Sequence, residues 1–263
     1  MSGEAQLLAG CRGVIVGVSG ESSIGYRLAT TFSRLGAEVA ATYRPARRDL
    51  CAPLLEAAGI VHHEALEATD EASMETAIAR LGAAFGRLDF LVHTCVHVPE
   101  GLLARPLLSV ARDELNAVLD ASVHSLIALC RHAEPWLARS RHARVVTLTS
   151  ASAVRATPSY HVAGIAKAAL GAAMLYLAAE LGPRGILCNA VAFSLIDTEG
   201  ARRAVGAKNV SMTRGVLEKR ALTRRALDPE DVSQMVAFFS SPLCRNVTGE
   251  TVMVDGGYSR SYF

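Results

Sequence analysis

The sequence predicts an α/β chain built on a parallel, doubly wound sheet of about seven strands with helices on both faces. Three observations predict it. Short β-branched runs alternate with longer amphipathic stretches from one end to the other. A glycine-rich turn joins the first strand run to the first helical run. No linker, repeat or low-complexity segment interrupts the alternation, and 263 residues suit one large α/β domain, so 1–263 reads as a single domain.

The strands are expected at 14–18, 38–43, 60–64, 89–94, 144–149, 186–191 and 251–254. The first helix, at 23–35, places Ile24, Leu28, Phe32 and Leu35 on one stripe that can face the sheet. Helices at 71–85, 112–140, 159–181 and 229–240 follow. Glu230 and Asp231 suit the positive N-terminal end of the last one. The helix at 159–181 is apolar on nearly every face, which predicts burial all round and, on one side, a second subunit. A homodimer or homotetramer is therefore expected.

The segment 197–228 carries Arg202, Arg203, Lys208, Arg214, Lys219, Arg220, Arg224 and Arg225. It follows the carboxyl end of the sixth strand, where ligands bind in this architecture. It reads either as a mobile substrate lid with a basic rim or as an ordinary solvated helical face.

With 51% hydrophobic residues and a net charge of +2, the chain has apolar content for a substantial core and no charge bias toward nucleic acid. No run is read as reaching the length of a membrane span. The N-terminus lacks a basic region followed by a long apolar stretch, so no secretory leader is expected. Cys11, Cys51, Cys95, Cys130, Cys188 and Cys244 lie far apart, which suggests buried thiols in a reducing cytoplasm. No metal site is expected from the scattered histidines and cysteines.

Chemistry concentrates at three places. The turn from Gly17 through Ser23 and Ile24 to Gly25 lets the backbone approach a pyrophosphate while a helix N-terminus offers free N–H groups. The second strand ends in Tyr43, Arg44, Pro45, Ala46, Arg47 and Arg48. Dinucleotide folds commonly place an acidic residue here, and arginine instead pairs with a phosphate dianion. That points to NADPH over NADH, unless these are simply surface arginines in a solvated loop. Tyr160 and Lys167 stand seven residues apart, close to two turns of a helix, so one face can present both. An adjacent ammonium is expected to lower the phenol pKa.

Together these residues resemble the short-chain dehydrogenase/reductase superfamily over almost the full length, and within it the divergent bacterial enoyl-acyl-carrier-protein reductases. GVSGESSIG has that branch's glycine, five-residue spacer and Ser-Ile-small arrangement. ATYR resembles the second-strand end of its NADPH-using members. HTCVHVP at 93–99 resembles its fourth-strand segment, and Ser122 stands where the mainstream superfamily has a helix asparagine. TGETVMVDGGYS resembles its last strand and turn. The resemblance implies a Rossmann-type fold, with Tyr160 on the developing oxyanion and Lys167 on the nicotinamide ribose. Gly17, Ser23, Ile24, Gly25, Tyr43, Arg44, Arg47, Glu67, Ala68, His93, Thr94, Lys167, Ile196 and Thr198 are the cofactor-binding residues it implies. The substrate would be a small-molecule or carrier-protein-bound acyl group.

Several positions depart from that branch. Ser150 stands where a second tyrosine is usual, so Ser150, Tyr160 and Lys167 could form the set of a ketoreductase. Its other reading is a strand-end hydroxyl capping backbone groups. Ser194 and Leu195 replace a Gly and a Pro beside the nicotinamide, and Val96 replaces a Gly. Three readings stay open: an NADPH-dependent enoyl-thioester reductase, a ketoreductase, and a dinucleotide-binding protein with lost or non-redox activity.

Overall fold

Strand β1 (Arg12–Val18) carries apolar side chains on both faces, as a strand covered on both sides must. Ile15 and Val18 join one buried cluster, and Val14 and Val16 join another on the opposite face. The computed structural model describes residues 6–261. Residues 1–5, on which part of the leaderless reading falls, and 262–263 lie outside the described residues.

The strands β2 (Glu38–Tyr43), β3 (His62–Ala65), β4 (Phe90–His93), β5 (Arg144–Ser150), β6 (Leu187–Phe193) and β7 (Thr251–Val254) complete the sheet. All pairs are parallel, in the order β3-β2-β1-β4-β5-β6-β7. The predicted Rossmann-type sheet is thus observed. Its order turns back at β1, so a crevice opens at the carboxyl ends of β1 and β4.

Helices α1 (Ile24–Arg34) and α2 (Arg48–Ala57) follow β1 and β2, and α3 (Glu71–Phe85) follows β3. Next come α4 (Arg112–Leu119), α5 (Ser125–Leu137) and α6 (His161–Leu181), then α7 (Glu199–Val205), α8 (Ala207–Arg220) and α9 (Pro229–Ser240). Leu28 and Phe32 of α1 share one core with Val236 and Phe239 of α9. Met74 of α3, Leu129 of α5 and Leu170 of α6 share the other. A third apolar cluster lies outside these two, where Leu102, Leu103 and Val118 meet Val162, Ala163 and Ala166.

Four differences from the expected elements have physical causes. The helix expected over 112–140 is broken at Asp120–His124 into a π turn, where the Ser125 hydroxyl donates to the Ala121 carbonyl. α2 was not assigned from the sequence, and it carries Pro53 in its interior, which lacks the N–H of a regular helix residue. The segment 197–228 holds two helices, α7 and α8, and α8 buries only Val210. Finally, His161–Arg184 is long and apolar enough to cross a membrane, contrary to the sequence reading. In this structure that helix packs against β5 and β6 with Leu170, Met174 and Leu181 in the core.

Candidate active site

Glycine at 17 and 25 shapes the crevice. Gly17 has φ +110°, a region side chains disfavour, and a Cβ there would stand 2.5 Å from Thr94 Oγ1. A Cβ on Gly25 would stand 2.8 Å from the Gly17 carbonyl oxygen, so α1 can start this close to β1 only with glycine. Ser23 caps α1: its hydroxyl accepts from the Tyr26 N–H at 3.2 Å and donates to the Gly20 carbonyl at 2.6 Å. Thr94 donates to the Val16 carbonyl at 2.8 Å, tying the end of β4 to the turn. This cradle suits a pyrophosphate: the backbone is bare, and the remaining N–H groups of the α1 N-terminus face outward. Replacing Gly25 with valine is expected to abolish dinucleotide binding and lower Tm, as read by fluorescence titration and thermal melting.

Lys167 is 6% exposed, and its ammonium donates to the Leu148 carbonyl at 2.8 Å. The Thr149 hydroxyl donates to the Lys167 carbonyl at 3.0 Å and fixes its backbone. Burial lowers the Lys167 pKa from 10.5 to about 8. Among the described residues its other N–H directions meet no acceptor, which leaves a buried donor for ligand hydroxyls. Tyr160 is the N-cap residue of α6 rather than a member of its interior, with φ −139°. Ser159 before it takes a left-handed φ of 55°. Tyr160 thus stands just before the helix that carries Lys167, rather than two turns along the same helix.

The expected lowering of the phenol pKa is corrected as well. Burial raises the Tyr160 pKa, and the Lys167 ammonium is directed at Leu148. Tyr160 is a neutral phenol packed against the third apolar cluster, beside Val98, Leu119 and Val205. Such a group donates a hydrogen bond to a developing oxyanion.

Ser150 ends β5, and its hydroxyl accepts from the Ser152 N–H at 3.2 Å, the capping role. His93 is fully buried, away from the crevice surface, between the Thr147 and Ser125 hydroxyls at 2.9 Å each. Burial lowers its pKa to about 3, so it stays neutral. Its side chain is thus held within the core, while its backbone stands at the end of β4 beside the crevice. Tyr43 is buried too, with its hydroxyl 3.3 Å from His63 Nδ1. Ile24 and Ile196 pack on the first core, and Ala68 on the second. Thr198 caps α7 by accepting from the Ala201 N–H at 3.1 Å.

The arginines after β2 stand where expected but are engaged. Arg44 pairs with Glu67 at 3.4 Å, and Arg47 with Glu199 at 3.5 Å. In the basic segment, Arg202 holds Asp197 through two hydrogen bonds and Arg203 pairs with Glu199 at 2.8 Å. Val96 is 49% exposed, while Ser194 and Leu195 are partly buried in the stretch after β6.

Sequence reasoning missed Thr149 and Glu199. The alternation of Thr147 and Thr149 along β5 was the available signal for the first. It placed Ser122 by resemblance only. The Ser122 hydroxyl is buried in the π turn with no hydrogen-bond partner among the described residues, and that turn packs on α6.

The profile of the family described as enoyl-(acyl carrier protein) reductase matches residues 17–259. An enoyl-[acyl-carrier-protein] reductase [NADH] of Neisseria meningitidis is 34% identical, covering 96% of this chain and 96% of its own length. The Aquifex aeolicus enoyl-[acyl-carrier-protein] reductase (NADH) superposes with a TM-score of 0.91 at 30% identity, covering 98% and 99% of the two chains. The Bacillus cereus enoyl-acyl carrier protein reductase, solved with NADP+ and an indole naphthyridinone, gives 0.92 at 27% identity, covering 98% and 99%. With its parallel sheet, glycine cradle and Tyr-Lys pair, the chain belongs to the enoyl-(acyl carrier protein) reductase family of the short-chain dehydrogenase/reductases and is a nicotinamide-dependent oxidoreductase.

Proposed function

We propose that this chain reduces the carbon–carbon double bond of an enoyl thioester, with NADPH as the preferred reductant. The observation that carries the reading is Tyr160: a phenol packed against an apolar cluster at the start of the helix that carries the buried Lys167. A neutral phenol there can hydrogen-bond the enolate oxygen as it gains charge. The Ser150 hydroxyl accepts from the Ser152 N–H as a cap and keeps its own O–H to donate, so it is compatible with either reading.

The bound dinucleotide supplies a hydride to the β-carbon. Tyr160 would donate a hydrogen bond to the thioester oxygen as it gains charge, and a proton from water at the α-carbon, with the enolate pair collapsing back to the carbonyl, would complete the saturated product. Lys167 holds the ribose hydroxyls with the N–H groups that Leu148 leaves free. Gly17, Ser23 and Gly25 shape the cradle for the pyrophosphate, and Glu67 and Ala68 lie on the adenosine side. Ile196 and Thr198 set the backbone at the nicotinamide end. The third apolar cluster, through Leu102, Leu103 and Val205, excludes water and takes the acyl chain.

NADPH is supported by Arg44, Arg47 and Arg48 after β2 and by the NADP+ in the Bacillus cereus structure. NADH, in the name of the Neisseria relative, is the competing reductant. α7 and α8 form the substrate lid of a single domain, and the protein works in the cytoplasm as a homodimer or homotetramer. The exposed Ile165, Leu175 and Tyr176 of α6 supply an apolar face for a second copy.

The exposed Lys208, Arg214, Lys219 and Arg220 on α8 meet an acidic carrier protein. Replacing Lys208 and Arg214 with glutamate is expected to raise KM about three- to tenfold for a carrier-linked substrate. The KM for a small thioester should stay unchanged; equal effects on both would remove the docking surface.

The test of the activity is oxidation of NADPH and NADH with crotonyl thioester beside acetoacetyl thioester. Turnover of the crotonyl substrate, faster with NADPH, is expected. Turnover of only the keto substrate would establish the ketoreductase reading instead.

A further inference from the structure

An anionic ligand entering the crevice meets a carboxylate already in place. Glu199 lies in the first turn of α7, the helix that follows β6. Its backbone N–H donates to the Ser22 hydroxyl of the glycine turn at 3.2 Å. One of its carboxylate oxygens lies 3.6 Å from where a Cβ on Gly20 would stand. The other lies 3.5 Å from the Arg47 guanidinium and 2.8 Å from that of Arg203. One acidic side chain thus spans the glycine turn, the segment after β2 and the lid.

The geometry points to Glu199 as the residue that sets preference between the two nicotinamide dinucleotides. The inference rests on the reading that such a dinucleotide binds here. The carboxylate is an internal anion on Arg47, the cation best placed, with Arg44, to meet a 2′-phosphate. A 2′-phosphate must displace it from Arg47, whereas a plain ribose hydroxyl leaves the pair intact. The carboxylate therefore restrains NADPH affinity selectively. Arg203 lies one helical turn along α7 and can keep Glu199 when Arg47 turns to a ligand. Arg44 pairs with Glu67 at 3.4 Å, about as closely as Arg47 with Glu199, but that pair does not tie the lid to the turn.

The test is a fluorescence titration of NADPH and NADH against the full chain and three variants: Glu199→Gln, Glu199→Asp, and Glu199→Gln combined with Arg47→Ala. Glu199→Gln is expected to tighten NADPH roughly fivefold, as loss of a competing surface ion pair allows, and to change NADH less than about twofold. Glu199→Asp keeps the charge and should retain the wild-type ratio. In the double variant the gain for NADPH should disappear, because the cation that Glu199 occupies has gone. An unchanged or reduced NADPH-to-NADH affinity ratio in Glu199→Gln, with both ligands bound by the wild type, would overturn the inference alone. Failure of the wild type to bind either ligand would overturn it together with the functional reading.

Discussion

Replacing Tyr160 with phenylalanine is expected to lower kcat about 10²- to 10³-fold while leaving dinucleotide affinity within about twofold. The phenol is the donor set within the apolar cluster of Leu102, Val118 and Ala163. Removing its hydroxyl takes away an interaction made mainly in the transition state and leaves the ring packing in place. Steady-state kinetics on crotonyl thioester, paired with a binding titration, separates the two effects. Equal loss of affinity and turnover would show that Tyr160 shapes the dinucleotide pocket instead. Because burial raises the Tyr160 pKa, turnover should not fall from phenol ionisation until well into alkaline pH.

Replacing Lys167 with methionine is expected to do the opposite to stability and to binding. Burial lowers the Lys167 pKa from 10.5 to about 8. Between those values the unfolded chain holds a proton that the folded chain has released. Stability of the wild type therefore rises with pH across that window, and the penalty is fully present below about 8. That penalty is about 3 kcal/mol, less about 1 kcal/mol for the hydrogen bond that Leu148 loses in the variant. Lys167→Met should thus melt several degrees higher at pH 7, with the gap closing by pH 10. Dinucleotide affinity should fall more than about tenfold, because the buried donor to the ribose is gone. A variant that melts lower at pH 7 would show that the ammonium stabilises the fold.

Much of this architecture was legible because its signals are local. Glu71–Phe85 and Pro229–Ser240 begin at Asp70 and Asp228, whose side chains accept from first-turn N–H groups, and both helices fall where the sequence placed them. The glycine turn was legible for the same reason, because Ser23 and Gly25 act on neighbours a few residues away, although the room that Gly17 leaves for Thr94 is a distant contact. What escaped depends on distant partners. The pair Arg47–Glu199 joins residues 152 apart, and Arg44–Glu67 joins residues 23 apart, so neither engagement is written in a motif. The spacing of Tyr160 and Lys167 suggested mutual electrostatics, but burial of each side chain dominates, and burial is a property of the assembled core. His93 sat in a recognisable segment, yet its direction is set by Thr147 and Ser125 on other elements. α2 and the π turn at Asp120–His124 were missed because an interior proline and a serine hydroxyl act against regular helix signals.

Equilibrium binding of NADPH and NADH to the purified chain, with Gly25→Val as the control, is the most direct measurement of the crevice. Saturable, one-site binding that disappears in the glycine variant is the expected result. Absence of affinity for both nucleotides in the wild-type chain, with the sheet intact by circular dichroism, would contradict the account.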